Sequence, residues 1–168
     1  MQRFEHVKDE RLRRLLAHWL QLRGDRAMPA RQDLDPVAIY YALPFLWLYD
    51  FIPPEDFRCR LAGEQIIDLW GKNPKGRLLR DIFGSHAEEV ATRFLSAVRT
   101  RSVMHTDADV VTTDRVSVRG ERIVLPLSSD TRNVDAILGA TIYDWGKQRA
   151  KSGIFAAEQH QVTYTAIA

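Results

Sequence analysis

The stretch FLWLYDFI, residues 45–52, limits what this chain can fold into more than any other. Side chains alternate sides along an extended backbone, so its apolar and aromatic residues fall on both faces of a strand. Such a strand needs a cover on each side. The stretch DFRCRLAG that follows is different. Phe57, Cys59 and Leu61 alternate with Arg58 and Arg60, the pattern of one buried and one wet face, and a Pro-Pro-Glu turn joins the two strands.

One cover is written upstream. DERLRRLLAHWLQLRG aligns Leu12, Leu15, Leu16, Trp19 and Leu22, with Val7, into a helical stripe that stops at Gly24. An amphipathic helix over residues 8–23 is predicted to lie on the second sheet face, supplied by this chain or exchanged from a partner. Leu12, Leu15, Leu16 and Trp19 are then the candidates for a dimer interface. RQDLDPVAIYYAL predicts a short second helix, with Asp35 as N-cap and Pro36 at the first helical position, ending before Pro44.

The other cover comes from the middle of the chain. SHAEEVATRFLSAVRTR pairs Ser85 with Glu88 in capping-box spacing and places Val90, Phe94, Leu95 and Val98 on one helical face. Three β-rich stretches follow, VMHTDADVVTT, SVRGERIVLPLS and VDAILGATIYDWG, separated by DRV and SSDTRN turns. The expected architecture is α+β: a five-stranded antiparallel sheet with helices on one face and an added N-terminal amphipathic helix. The chain divides into an N-terminal helical extension (1–42), a sheet domain (43–146) and a C-terminal tail (147–168) to which no element is assigned.

GKNPKGRL, residues 71–78, imitates the phosphate-cradling loop G-x-x-x-x-G-K-[ST]. The imitation fails where the chemistry is decided, because Arg77 replaces the phosphate-reaching lysine and Leu78 the magnesium-holding hydroxyl. It also follows GEQIIDLW, which has helical spacing, instead of a strand. Gly71 reads as the left-handed residue closing that helix, and Asn73-Pro74 and Gly76 as turn residues.

The 24 basic and 22 acidic residues nearly cancel, which removes the motive for a nucleic-acid or acidic-membrane partner. Residues 1–31 are locally basic but mixed in sign, the pattern of a solvated helix face. Cys59 is the single cysteine, no signal-peptide pattern opens the chain, and PVAIYYALPFLWLY falls short of the ~20 apolar residues of a membrane helix. A cytoplasmic location without a membrane span is expected.

In its strand-strand-helices-strand-strand-strand order over residues 43–146, and in LAGEQIIDLWGKNPKGRLLRDIF, the chain resembles a PAS domain. HWLQLRG, PARQDLDP, LPFLWLYDF and FRCRLAGEQI resemble the alphaproteobacterial group of short single-PAS proteins. The resemblance implies sensing or protein-protein signalling, with any ligand held between the helices and the sheet, and it names no cofactor. Flavin photochemistry of the PAS type needs a cysteine where this chain has Leu78 and Leu79. A haem ligand would fall to His86, which reads better as an exposed helix-start residue. The Asp-Ile-Thr ending of the family is reduced to Asp144 followed by Trp145 and Gly146, and the roughly twenty residues after it leave output to a partner protein or a second copy, as a homodimer.

Cys59, Leu61, Ile66, Trp70, Leu79, Ile82, Ile123, Leu125 and Ile142 are the candidates for the pocket wall, each also readable as plain core. No catalytic residue and no metal site is expected, since His6, His18 and His160 have no partner at ligand spacing. His105, Asp107 and Asp109 share one side of a strand, and three polar groups together point to a solvent face. The competing reading is a small cone-type isomerase using His105, Asp107 or Asp109 as base, or a ligand-free interaction domain.

Overall fold

The computed structural model describes residues 2–112, 117–145 and 154–167. The elements are α1 (Glu10–Arg23), β1 (Leu46–Ile52), β2 (Asp56–Ala62), α2 (Glu64–Trp70), α3 (Leu79–Phe83), α4 (Ala87–Thr100), β3 (Ser102–Thr112), β4 (Ser117–Leu127), β5 (Ala136–Asp144) and β6 (Ile154–Ala166). The strands form one antiparallel sheet in the order β2-β1-β5-β4-β3-β6. The sheet thus has six strands, not five. The sixth comes from the unassigned tail and pairs along β3. The DRV turn and residues 146–153 lie outside the described residues.

The two-faced strand is covered as its composition demands. On one face of β1, Trp47 and Tyr49 meet Phe94 of α4. Leu46 and Leu48, on the other, are equally buried. That second face belongs to α1 of the same chain: Leu12, Leu15, Leu16 and Trp19 are all buried, and the Trp19 indole Nε1 donates to the Pro126 carbonyl of β4 at 3.1 Å. The stripe singled out as a dimer interface is therefore consumed inside the chain. A second copy would have to meet another surface.

The α1 N-terminus is pinned by charge. Asp9 caps the helix, accepting from Arg11 N, while Glu121 of β4 accepts from the backbone amides of Lys8 (2.6 Å) and Asp9 (2.9 Å). His105 of β3, only 3% exposed, meets the same carboxylate through Nε2 at 2.8 Å, and the His6 ring stands edge-on to it at 4.9 Å. Asp107 pairs with Lys8 at 3.2 Å and with Arg119. His105 and Asp107 thus face the N-terminal segment and not open solvent, a correction to the sequence reading. The polar alternation was real, but a second polar layer covers it.

Two helix-level expectations also change. Residues 36–42 form successive turns in place of a helix, although Asp35 Oδ1 does accept from Val37 N. Val37, Ile39, Tyr40 and Tyr41 are poor helix formers, and only seven residues separate Asp35 from Leu43 and Pro44. The Ser85–Glu88 capping box is absent because Gly84–His86 form a 3₁₀ turn, which makes His86 the N-cap. Gly71 closes α2 in the left-handed conformation, φ 71°, as expected.

GKNPKGRL has a structural task. Cys59 N donates to Arg77 O, Gly76 N donates to Cys59 O, and Arg58 and Leu78 form an antiparallel bridge. The stretch seals the outer edge of β2.

Trp19→Ala should destabilise the chain by about 3–5 kcal/mol, read as a lower urea midpoint, because it empties the centre of the α1 layer. The His6 side chain is held below its ordinary pKa of 6.5 by burial and then by the neighbouring His105. An unfolded chain takes up that proton first, so stability is complete above pH 6.5 and declines as the pH drops below it. At Glu121 burial opposes the charge, but the bonds from His105, Lys8 N and Asp9 N prevail and lower its pKa from 4.5, so its contribution is lost below that value. Urea midpoints against pH should show both declines, and His6→Gln should remove the first.

Candidate functional site

Strand register decides which residues can meet a ligand. Glu121 reaches α1, so its neighbours Ile123 and Leu125 and its cross-strand partner Ile142 share the α1 side. Trp47 stacks on Phe94, and its Nε1 donates to Thr141 Oγ1 at 2.9 Å, which fixes Thr141 and its partner Arg122 on the α4 side. Ile123, Leu125 and Ile142 are therefore core beneath α1 and do not line a space under α2–α4. Alternation separates two faces but does not say which layer covers which.

Leu61 is displaced for another reason. Tyr49 pairs with Cys59 whereas Leu48 pairs with Leu61, so an irregularity between Leu48 and Tyr49 breaks the alternation. Leu61 turns to the α1 side, where it is 41% exposed. Cys59, Ile66, Trp70, Leu79 and Ile82 do join the core on the α2–α4 side: Cys59, Ile66 and Leu79 are buried, and Trp70 packs edge-on against Phe83 at 5.3 Å beside half-buried Ile82. Burial pushes the Cys59 thiol up to about 11, which makes it a poor nucleophile. His86 is exposed.

The sequence reading overlooked most of the wall. Phe94 is its hub, 5.3 Å from Trp47, 5.5 Å from Phe57 and 6.1 Å from Tyr49 between ring centroids. Trp47 lies flat over β5 because its register partner there is glycine: a Cβ on Gly139 would sit 2.0 Å from the indole. Beside the indole, Arg122 donates from Nε to Thr141 Oγ1 at 3.0 Å, hydrogen-bonds the Tyr143 hydroxyl and lies over the Trp47 ring at 5.9 Å. The Tyr49 hydroxyl and Thr106 Oγ1 are buried without a hydrogen-bond partner among the described residues. Burial, and to a lesser extent Cys59, raise the Tyr49 phenol far above its ordinary range, against a smaller downward pull from Arg122. The readable signal was the spacing of Trp47 and Tyr49 on a strand facing an aromatic at helix position 94.

A concavity of about 360 Å³ lies among Arg31, Asp50, Arg60, Ser129 and Asp135. Its charges satisfy one another, Asp50 with Arg60 and Arg31, and Asp135 with Ser129. Two of the three bases of the isomerase reading are engaged on the opposite side of the sheet, His105 by Glu121, and Asp107 by Lys8 and Arg119.

Gly139→Ala should drive Trp47 off β5, costing about 1–3 kcal/mol by overpacking, with a change in the near-ultraviolet circular dichroism that tracks the loss of the Trp47–Phe94 stack.

Comparison with known proteins agrees with this arrangement. A search of the curated proteins finds no significant sequence match. Among solved structures, the PAS domain of BvgS from Bordetella pertussis superposes with a TM-score of 0.50 at 15% identity, covering 80% of this chain and 89% of that one. VqmA bound to DPO gives a TM-score of 0.50 at 12% identity, covering 63% of this chain but only 54% of that one, so the likeness spans about half of VqmA. These likenesses concern the fold. The PAS domain family model matches residues 7–142, a span that runs from the segment before α1 to near the end of β5. The chain therefore belongs to the PAS domain family, a family of sensory and signalling modules.

Proposed function

We propose that this chain is a ligand-responsive PAS module that passes its state to a partner protein or to a second copy of itself. The observation that carries the reading is the buried hydroxyls of Tyr49 and Thr106, both on the α4 side of the sheet and without partners among the described residues. A buried hydroxyl without a partner costs about 1–3 kcal/mol, and a bound molecule that hydrogen-bonds it would recover that cost. The wall beside them is aromatic, as small-molecule sites commonly are. VqmA, whose fold is similar, is known with DPO bound. For this chain the ligand's identity is separate chemistry.

Transmission in trans finds support on the surface. Val37, Tyr40, Leu43 and Leu61 are large apolar side chains left exposed, and Gly63, two residues beyond Leu61, packs against the Leu43 and Pro44 carbonyls. Leu43 and Leu61 therefore lie close together at the β2 end of the sheet, clear of the α1 stripe.

Native mass spectrometry on protein purified without added cofactor tests the reading. A constant increment above 19.3 kDa, or above twice that mass, is expected and would report ligand and self-association in one spectrum. Tyr49→Phe should weaken the retained increment while raising the stability of the ligand-free chain by about 1 kcal/mol, since it deletes the orphaned hydroxyl. A bare single-chain mass, with Tyr49→Phe merely destabilising, would overturn it.

A further inference from the structure

The charges of the sheet are sorted by side. Glu121 engages the α1 N-terminus, and by register Asp107, Asp109, Arg119 and Asp144 share its side. Asp50 and Arg60 likewise pair away from α4. Among the strand residues whose side chains are described, Arg122 is the single charged group facing α4. It is half-buried, and its partners are all neutral: Thr141 Oγ1, the Tyr143 hydroxyl and the Trp47 ring. A cation withdrawn from water beside aromatic walls, with no carboxylate opposite among the described residues, is an expensive arrangement unless an anion joins it.

The groups around it suit such an anion. Nε is committed to Thr141, which fixes the guanidinium plane and leaves the Nη groups as the donors of a planar fork. Thr106 is the cross-strand partner of Arg122 on β3, and its buried hydroxyl has no partner among the described residues. The Tyr49 hydroxyl, also unpartnered, lies close enough to feel the Arg122 charge. One guanidinium balances a single negative charge spread over two oxygens. A phosphate dianion would need a second cation, and this side of the described strands offers none. The apolar side chains of Trp47 and Phe94 beside the guanidinium suit a short apolar body attached to that carboxylate.

We propose that Arg122 anchors a carboxylate subsite on the α4 side of the sheet, so that the molecule sensed is a small monocarboxylic acid with an apolar body. The inference rests on the sensory reading above and adds the charge of the ligand. Arg122 is the anchor, and Thr141 is a positioning residue that holds the fork.

The full chain labelled with ¹⁵N-arginine provides the test, with the Arg122 Nε resonance assigned by its loss in R122K. Phenylacetate and hexanoate are titrated beside their uncharged amides, phenylacetamide and hexanamide. The acids are expected to shift the Arg122 Nε–H signal and the amides to leave it in place. Affinity for the acids should fall roughly 10- to 100-fold in R122Q, the scale of a charge-assisted hydrogen-bond pair. R122K, which keeps the charge without the fork, should retain binding between the two. Circular dichroism melts confirm that each variant is folded. Acids that leave Arg122 unmoved, amides that bind as well as acids, or undiminished acid binding by R122Q would each overturn the proposal. An uncharged ligand retained through purification and held equally by R122Q would overturn the carboxylate assignment and leave the sensory reading standing. No retained ligand and no binding of acid or amide would overturn both.

Discussion

Burial of both faces of the central strands is the constraint on which the rest of this molecule depends. β1 is buried over its first four residues and β5 over its first seven, so neither can lie at a boundary with water there. A sheet built around them needs two separate apolar layers. The helices between β2 and β3 supply one, and the helix ahead of the first strand supplies the other. Folding the second layer from the same chain commits the α1 stripe to an intramolecular role. The long-range pairing of residues near position 8 with residues near 121 follows from this, since a helix laid across a sheet must be fixed at its end to hold its register.

The two layers differ in chemistry as well as position. Under α1, Glu121 receives two backbone amides and the His105 imidazole, beside a His6 ring whose Nε2 is buried without a partner among the described residues. Under α4, the sheet carries aromatic rings, two unanswered hydroxyls and a lone guanidinium. Buried polar groups in folded proteins are normally satisfied, and departures from that rule mark places where a fold serves something besides its own stability. Both faces carry such departures: His6 Nε2 and His18 Nε2 on the first, and the Tyr49 and Thr106 hydroxyls on the second.

The sequence showed the frame of the fold and blurred the site. The α1 stripe, the double-sided first strand, the left-handed Gly71 and the three later strands were legible because each rests on periodicity or on a residue with one conformational use. β6 was missed: its polar centre, EQHQ, disguises a strand paired on one edge only. Ile123, Leu125 and Ile142 were put on the wrong side because a period of two defines two faces without naming their covers. Leu61 was misplaced by one irregularity in register that no local pattern announces. Arg122 was overlooked because a single arginine in SVRGERIVLPLS resembles Arg119, three residues earlier on the opposite side. Only cross-strand register tells them apart.

The pairing of Gly76–Leu78 with β2 bears on how copies of this chain could join. It blocks one margin of the sheet at Cys59, while β6 at the other margin has no further strand beyond it among the described residues. A sheet with two free margins can polymerise, each unit templating the next. A sheet with one free margin can only meet its like, margin to margin, and the union presents two closed ends. The stretch that imitates a nucleotide loop thereby closes the β2 margin at Arg58 and Cys59 to an incoming strand.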